Sequence, residues 1–306
     1  MGTEVDESVR APEDSRPSIR HFSLMNSLLA VVNRSPHDSM DSTLARYFLE
    51  RFDRLADLNV YDVAEECYTS RSGIRRFCQS IGLDNFSDLK SYAWEWSRHR
   101  RLFSRYTDHE NYRDYLVAAL AEMDRTINEA VSEETLDRLA RLLHRSKRIV
   151  ILTSDFSSGA VRQFQQSMLY LHKVIDIVTD STGDTTQLEA LAGDDVLVII
   201  SEHGNYARAV RTVLADSPVV SVLVTVDADG ETMANFAYAV RLSPAPATEG
   251  RTVFAQYGIT YLLDLLYNRY FVLYGGSGLA RFARVQIPDP VPRGVRYMMQ
   301  PSASAR

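Results

Sequence analysis

The second half of the chain alternates short aliphatic runs with amphipathic stretches, and this alternation restricts the possible folds more than any other feature. Runs of this kind are too short for ordinary helices, and most of them are apolar on both sides of an extended chain. Strands that are apolar throughout are typical of parallel sheets covered by helices on both faces. The predicted strands are Arg148–Thr153, Val174–Val178, Val196–Ser201, Val219–Thr225 and Tyr238–Leu242.

Stretches with helical periodicity separate and follow these strands. They predict helices at Gly159–Leu171, Asp184–Leu191, Tyr206–Ala215, Glu231–Phe236 and Thr252–Tyr274. Strands and helices in alternation predict an α/β domain of three layers around a five-stranded parallel sheet. In such sheets ligands bind at the carboxyl ends of the strands, close to helix N-termini.

The first half of the chain shows helical periodicity only, which predicts an all-α domain. Helices are expected at Phe22–Val32, Ser42–Leu55, Phe86–Trp96 and Asp108–Arg145, with a shorter pair between the second and third. We therefore divide the chain into a disordered N-terminus (1–20), a helical domain (21–97), a helical linker (98–145), the α/β domain (146–275) and a C-terminal extension (276–306).

The shorter pair lies within Val60–Gly82 and has the pattern of a helix–turn–helix motif. Apolar residues recur at helical spacing in both halves, and Thr69 and Ser70 between them are suited to cap the second helix. These apolar residues are Val60, Val63, Ala64 and Cys67, then Ile74, Phe77 and Ile81. The first two helices of the chain and Phe86–Trp96, with its aromatic residues, are expected to supply the core on which the pair packs.

The outer face of the second helix is cationic and rich in amide and hydroxyl groups. No acidic residue occurs from Arg71 to Gly82, and such a helix suits the major groove of DNA. We expect base contacts from Arg71, Ser72, Arg75 and Gln79, and phosphate contacts from Ser70, Arg76 and Lys90.

Composition narrows the class of protein. Forty acidic against 34 basic residues give a net charge of −6, which excludes a generally basic nucleic-acid coat protein but not a regulator with one basic surface. Cys67 and Cys78 are expected to be reduced core residues. The sequence has no zinc-ligand spacing and no GxGxxG or P-loop pattern, so no metal and no cofactor are predicted. With no membrane-length apolar run and a polar, acidic N-terminus, we expect a cytoplasmic protein that does not contact membranes.

A long run through the second helix and beyond resembles the N-terminal domain of the RpiR/MurR family of bacterial transcriptional regulators. The matching pattern is Ser70-x-x-x-Ile74-x-Arg76-Phe77-Cys78-x-x-Ile81-Gly82-Leu83-x-x-Phe86-x-x-Leu89-Lys90. This chain departs from the family at the turn, where Tyr68 stands in place of the usual glycine. If the turn requires a positive φ there, the tyrosine costs on the order of 1 kcal/mol, so a remodelled turn is the alternative.

Two turns of the α/β domain are unusually polar, and they are our candidate effector site. Each follows a predicted strand and could present hydroxyls and backbone N–H groups to an anion, although simple helix capping explains the same residues. The candidates are Ser154, Ser157 and Ser158 in the first turn, Ser201, His203, Gly204, Asn205 and Tyr206 in the second, and Glu249 before the last helix.

These turns and the strand pattern resemble the sugar isomerase (SIS) domain, which follows the helix–turn–helix in RpiR/MurR regulators. In that family the second turn commonly reads Ser-x-Ser-Gly-x-Thr and binds a sugar phosphate. Ser201 and Gly204 match this motif, whereas His203 and Tyr206 replace its second Ser and its Thr. Glu202 and Asp155 add negative charge, so the resemblance supports the fold more strongly than a phosphosugar ligand.

Together these patterns predict a bacterial DNA-binding transcriptional regulator whose SIS-like domain senses a small metabolite, with a sugar phosphate as one candidate. Binding to double-stranded operator DNA implies a homodimer or tetramer. The alternatives are a sugar-phosphate isomerase that uses His203 or Glu249 as base, a regulator with a degenerate pocket that needs no effector, and a helical module that docks protein. For the α/β domain, catalysis is the less favoured hypothesis.

Overall fold

The structure is a computed structural model of the 306-residue chain. It describes residues 23–179, 188, 190–202, 204–214, 217–226, 229–243 and 253–275. The predicted N-terminal tail and C-terminal extension, and most of the helix predicted at Asp184–Leu191, lie outside these residues. No helix in the described part of the chain is long and apolar enough to cross a membrane.

The N-terminal part is all-α, as the periodicity predicts. Its elements are α1 (Leu24–Arg34), α2 (Met40–Glu50), a 3₁₀ segment (Phe52–Asp57), α3 (Val60–Glu66), α4 (Arg71–Ser80), α5 (Phe86–Ser91) and α6 (Trp94–Thr107). Serine or asparagine side chains accept backbone N–H groups at the starts of α1 to α5, which satisfies donors that a helix leaves open.

One apolar cluster holds these helices together. It contains Phe48, Phe52, Ile74 and Phe77, each at most 2% exposed, with aliphatic residues from α1 and α5. Both cysteines lie in this region as free, buried side chains, which confirms their prediction as small core residues. Burial raises the pKa of the Cys78 thiol to about 11, and the thiol is therefore protonated at neutral pH.

Two helices predicted as continuous are interrupted. The stretch predicted at Ser42–Leu55 ends as an α-helix at Glu50, because Arg51 has non-helical backbone angles (φ −116°, ψ 21°), and it continues as 3₁₀. The stretch predicted at Phe86–Trp96 breaks between α5 and α6. This break leaves Trp94 48% exposed, whereas the prediction had placed that ring in the core.

The predicted linker helix is also two helices, α7 (Tyr112–Ala130) and α8 (Glu133–Arg145), because Ser132 caps α8 through the N–H of Thr135. Their apolar faces belong to the core of the α/β domain, where Met123, Ile127 and Leu139 are buried. The linker segment therefore packs on the α/β domain.

A five-stranded parallel sheet follows, in the order β2-β1-β3-β4-β5. The elements are β1 (Ile149–Thr153), α9 (Ser158–Leu169), β2 (Asp176–Val178), β3 (Val196–Ile200), α10 (Asn205–Leu214), β4 (Val220–Thr225), α11 (Gly230–Met233), β5 (Tyr238–Arg241), a π-helical turn (Phe254–Gly258) and α12 (Ile259–Tyr274). The predicted fold class is confirmed.

Alternate residues of the central strands face two separate cores. Ile149 and Ile151 of β1 pack with α8, α9 and α12, whereas Val150 and Leu152 pack with α10 on the other side. The sheet is therefore covered on both faces, and its carboxyl edge is the place where the two polar turns emerge.

Candidate functional site

Helix α4 presents the surface that the sequence predicts for DNA. Ile74, Phe77 and Cys78 are buried on its inner side. The residues that we expected to face DNA are exposed on its outer side and at its start: Ser70, Arg71, Ser72, Arg75, Arg76 and Gln79. The side chains of Arg75 and Arg76 make no hydrogen bond or ion pair with the described residues, so both guanidinium groups are available to a partner.

Ser70 has a structural role in addition to its predicted phosphate contact. Its hydroxyl accepts the backbone N–H of Gly73 at 3.1 Å and lies 2.8 Å from the hydroxyl of Ser72. This bond caps the start of α4 and aims the helix N-terminus outward, where the helix dipole favours a negative group such as a phosphate.

Tyr61 positions the side chain of Arg71, and this contact was not predicted from the sequence. The guanidinium of Arg71 donates to the hydroxyl of Tyr61 at 3.0 Å, and its carbon lies 4.9 Å from the ring centroid. Tyr61 itself is 61% exposed. The pair joins two helices at a distance that residue spacing does not reveal, and it restricts the rotamers of a predicted base-contacting residue.

Lys90 is held within the domain. Its ammonium donates to the backbone carbonyl of Leu58 at 2.9 Å and lies 6.0 Å from the ring centroid of Phe86. Lys90 thus ties α5 to the segment before α3. A phosphate contact, which stays a prediction, would use the two remaining N–H groups.

The turn between α3 and α4 keeps the backbone that glycine usually provides. Tyr68 has φ 50° and is 93% exposed. The N–H of Tyr68 bonds to the carbonyl of Glu65, and the N–H of Thr69 to that of Ala64, which is a Schellman end. Helix α4 ends in the same way with Gly82 at φ 90°. The turn is therefore not remodelled, and Tyr68 occupies the left-handed region.

Tyr68→Gly is expected to stabilise the helical domain by about 0.5–1 kcal/mol, because glycine adopts positive φ without a Cβ clash. The measurement is denaturant unfolding followed by tryptophan fluorescence, since both tryptophans, Trp94 and Trp96, lie in this domain. Gly82→Ala is the matched control and should lower stability. Equal or lower stability of Tyr68→Gly would show that the tyrosine ring makes a compensating contribution.

The two polar turns of the α/β domain meet at one carboxylate. The hydroxyl of Ser154 donates to Glu202 Oε1 at 2.8 Å, and the hydroxyl of Ser157 donates to the same oxygen. Glu202 is only 8% exposed. The adjacency of β1 and β3 brings these residues together, so two of the three candidate hydroxyls of the first turn are satisfied by an acidic side chain of the second.

The other candidates of these turns have local roles. Ser158 donates to the carbonyl of Asp155 at 2.7 Å, and Ser201 accepts the N–H of Tyr206 at 3.2 Å at the start of α10. The ring of Tyr206 packs in the core on the α10 side of the sheet. Gly204 has φ 68°, which glycine adopts readily in a tight turn.

Three sequence candidates receive little or no structural description. His203 and Glu249 lie outside the described residues. For Asn205 only the backbone is described, and it begins α10.

Several buried hydroxyls near the carboxyl edge have no hydrogen-bond partner within the part of the chain that the structure describes. They belong to Thr153 at the end of β1, Thr225 at the end of β4, and Tyr206. Buried polar groups without a partner are rare in folded proteins and often indicate a bound water or ligand.

A cavity of about 230 Å³ lies beside the first turn. Phe156, Ser157 and Ala160 line one side, and Ala255, Gln256 and Thr260 line the other. Sequence analysis missed the last three residues. The segment before α12 forms a π-helical turn, and an i→i+5 turn displaces side chains from the 3.6-residue periodicity on which the prediction depended.

Comparison with known proteins identifies the N-terminal domain. The family model described as "Helix-turn-helix domain, rpiR family" matches residues 31–98. This chain carries an RpiR-family helix–turn–helix domain. The match spans α2 to α5 and includes every residue that we expected to contact DNA, from Ser70 to Lys90.

Curated relatives of this chain include uncharacterized HTH-type transcriptional regulators. One from Caldanaerobacter subterraneus is 37% identical over 68 residues, which cover 22% of this chain and 24% of that protein. One from Clostridium perfringens is 23% identical over 242 residues, or 74% of this chain and 85% of that protein. The first similarity is confined to one domain, whereas the second extends through both.

Solved structures include two chains with partial structural similarity to this one. The Vibrio vulnificus NanR protein complexed with ManNAc-6P has 16% identity and a TM-score of 0.45, over 83% of this chain and 93% of that one. The sugar isomerase domain of an RpiR transcription factor from Sphaerobacter thermophilus has 12% identity and a TM-score of 0.43, over 52% and 90%. The family assignment above rests on the helix–turn–helix domain.

Proposed function

We propose that this protein regulates transcription by binding operator DNA through α4 and by sensing a small metabolite through its α/β domain. The observation that carries the proposal is the outer face of α4, which combines exposed Arg71, Arg75 and Gln79 with a buried apolar side inside an RpiR-family domain. The major groove admits an α-helix, and arginine and glutamine side chains read guanine and adenine edges there.

The exposed residues divide into two kinds of contact. Arg71, Ser72, Arg75 and Gln79 read base edges, and Ser70, Arg76 and Lys90 bind phosphates and set the register on the duplex. Two copies of α4 are required for a two-fold operator, with half-sites about 34 Å apart. We therefore expect a homodimer or tetramer.

The effector site is proposed at the carboxyl edge of the sheet, where Ser154, Ser157 and Glu202 meet beside the cavity. Parallel α/β sheets bind ligands at this edge. A sugar phosphate is the candidate that the SIS resemblance suggests. Effector binding would shift the balance between subunit arrangements that fit the half-site spacing and arrangements that do not.

Regulation is proposed in preference to catalysis. The relative from Clostridium perfringens, which matches 74% of this chain, is named as an uncharacterized HTH-type transcriptional regulator, and this supports the choice. An isomerase would require a base such as His203 or Glu249 within reach of a sugar carbon, and it would turn over ketose or aldose phosphates.

A mobility-shift assay with the full chain and the DNA that flanks its own gene tests the proposal. We expect one sequence-specific complex that a scrambled duplex of equal length does not compete away. Weak, salt-labile and sequence-independent binding together with isomerase turnover would favour the enzyme. Absence of any DNA binding would favour a protein-docking module.

Simultaneous replacement of Ser201 and His203 by alanine is expected to abolish the influence of the effector while operator affinity stays within a factor of about two. The reason is that both residues lie in the second polar turn, far along the chain from α4. The measurement is operator binding with and without effector. Loss of operator binding in the absence of effector would instead assign these residues a structural role, since Ser201 caps α10.

A further inference from the structure

The cavity beside the first turn carries no charge on the six residues that line it. Phe156, Ala160 and Ala255 are apolar, and Ser157, Gln256 and Thr260 are neutral and polar. Its volume of about 230 Å³ is below the roughly 300–1,000 Å³ of pockets for drug-sized ligands. A cavity of this volume would fit a small molecule of about monosaccharide size.

The two hydroxyls of this cavity already donate hydrogen bonds, so their oxygens can act as acceptors. The hydroxyl of Ser157 donates to Glu202, and the hydroxyl of Thr260 donates to the backbone carbonyl of Gln256 at 3.3 Å. The side-chain oxygen Oε1 of Gln256 is buried and has no hydrogen-bond partner among the described residues. A buried acceptor without a partner is costly, so a hydroxyl or amine donor that reached this oxygen would be favourable.

Glu202 already accepts two hydroxyls that an anionic ligand at the first turn would need. Its carboxylate accepts the hydroxyls of Ser154 and Ser157 and is almost fully buried. A phosphate that reached Ser154 and Ser157 would lie next to this carboxylate or displace it. Two like charges at such a distance, with little water to screen them, repel strongly.

We infer that the effector is a sugar or amino sugar without a phosphate group, bound by Ser157, Gln256 and Thr260 next to the carboxylate of Glu202. This inference rests on the proposed function and specifies the ligand class of the same site. Glu202 takes the place of the ligand's anion, and the ligand contributes donors. A protonated amine would gain further from the negative charge of Glu202.

Matched pairs of sugars test the inference with the full-length protein. The panel contains aldohexoses, ketohexoses, 2-amino sugars and N-acetylated amino sugars, each paired with its own 6-phosphate. Isothermal titration calorimetry should find at least one unphosphorylated sugar that binds ten-fold or more tightly than its 6-phosphate. Tighter binding of an amino sugar than of its hydroxyl counterpart would indicate that the ligand is cationic, and equal binding that it is neutral.

Two variants connect this preference to the named residues. Gln256→Leu should weaken binding of the unphosphorylated sugar at least ten-fold. Glu202→Gln, which keeps the shape and one acceptor oxygen, should reduce the discrimination against the 6-phosphate at least five-fold. Asp264→Asn removes an exposed carboxylate from α12 that does not line the cavity. As the matched control it should change neither the affinity for the unphosphorylated sugar nor the preference over the 6-phosphate.

Equal or tighter binding of the 6-phosphate in wild-type protein, or no binding of any unphosphorylated sugar in the panel, would overturn the inference. Operator binding is measured on the same preparation. Specific DNA binding without the preference for unphosphorylated sugars would refute this inference and leave the proposed regulatory function valid. A preference for unphosphorylated sugars without specific DNA binding would refute the proposed regulatory function and support the inferred ligand class.

Discussion

Arg75→Ala is expected to lower operator affinity by about 1–3 kcal/mol, or roughly 5- to 150-fold, if Arg75 pairs with a guanine. The side chain is exposed on the outer face of α4 and makes no ion pair or hydrogen bond with the described residues. Its removal is therefore expected to leave the fold of the domain unchanged, so a loss of affinity would report a lost contact with DNA. The measurement is fluorescence anisotropy with the full chain and a labelled operator at fixed salt concentration.

Sequence dependence separates a base contact from simple charge loss. Arg75→Ala should relax the preference at one base pair of each half-site, whereas Arg76→Ala should weaken all duplexes alike and reduce the salt slope by about one. Arg113→Ala is the matched control, because it removes an exposed arginine from α7, outside the helix–turn–helix. Unchanged operator affinity of Arg75→Ala would refute the assignment of Arg75 to a base.

Glu95→Ala should destabilise the helical domain by about 2–4 kcal/mol, because it leaves several buried donors without an acceptor. The carboxylate of Glu95, at the start of α6, accepts the N–H groups of Leu24 and Met25 at 2.9 and 3.1 Å and the hydroxyl of Ser23 at 3.2 Å. Glu95 is 2% exposed. It thus completes the cap of α1, which Ser23 begins by accepting the N–H of Asn26.

Urea unfolding followed by tryptophan fluorescence measures this effect, since both tryptophans lie in α6. Glu65→Ala, an exposed glutamate in α3, is the control and should change stability by less than about 0.5 kcal/mol. A loss of similar size in both variants would mean that the bonds between Glu95 and the start of α1 contribute nothing beyond an ordinary surface residue.

The pH dependence of the same measurement tests the charge of Glu95. Burial raises the pKa of its carboxyl, and the hydrogen bonds from Met25, Leu24 and Ser23 oppose this shift without cancelling it. The folded state therefore holds the proton more tightly than the unfolded state, so the carboxyl's contribution to stability is lost as pH rises through its folded pKa. The difference in unfolding free energy between wild type and Glu95→Gln should narrow from about pH 4 upward.

Much of the fold could be predicted because its determinants are local. The helices around Val60–Gly82 follow from apolar residues at steps of three and four, and the parallel sheet follows from short runs that are apolar throughout. The ends of the helices were harder to predict from the sequence. Phe48, Phe52 and Leu55 face the core equally well through a 3₁₀ segment as through an α-helix, so their spacing did not reveal the change at Arg51.

Contacts between distant parts of the chain were not predictable in this way. Glu95 caps a helix that begins 71 residues earlier, and a lone glutamate at the start of an amphipathic helix carries no signal of that partner. Arg71 and Tyr61 likewise meet only because α3 and α4 pack at a particular angle. The exposed position of Trp94 depends on the break before α6.

The sequence by itself determined the fold class, the location of the helix–turn–helix and the outward face of α4, because a repeating apolar pattern decides which side of each element is buried. Only the tertiary structure decided the character of the candidate effector site. Strand order placed β1 beside β3, which brought Ser154 and Ser157 onto Glu202, and the π-helical turn before α12 placed Gln256 at the same cavity as Thr260. Such juxtapositions depend on packing between elements far apart in the chain, and residue spacing within one element does not encode them.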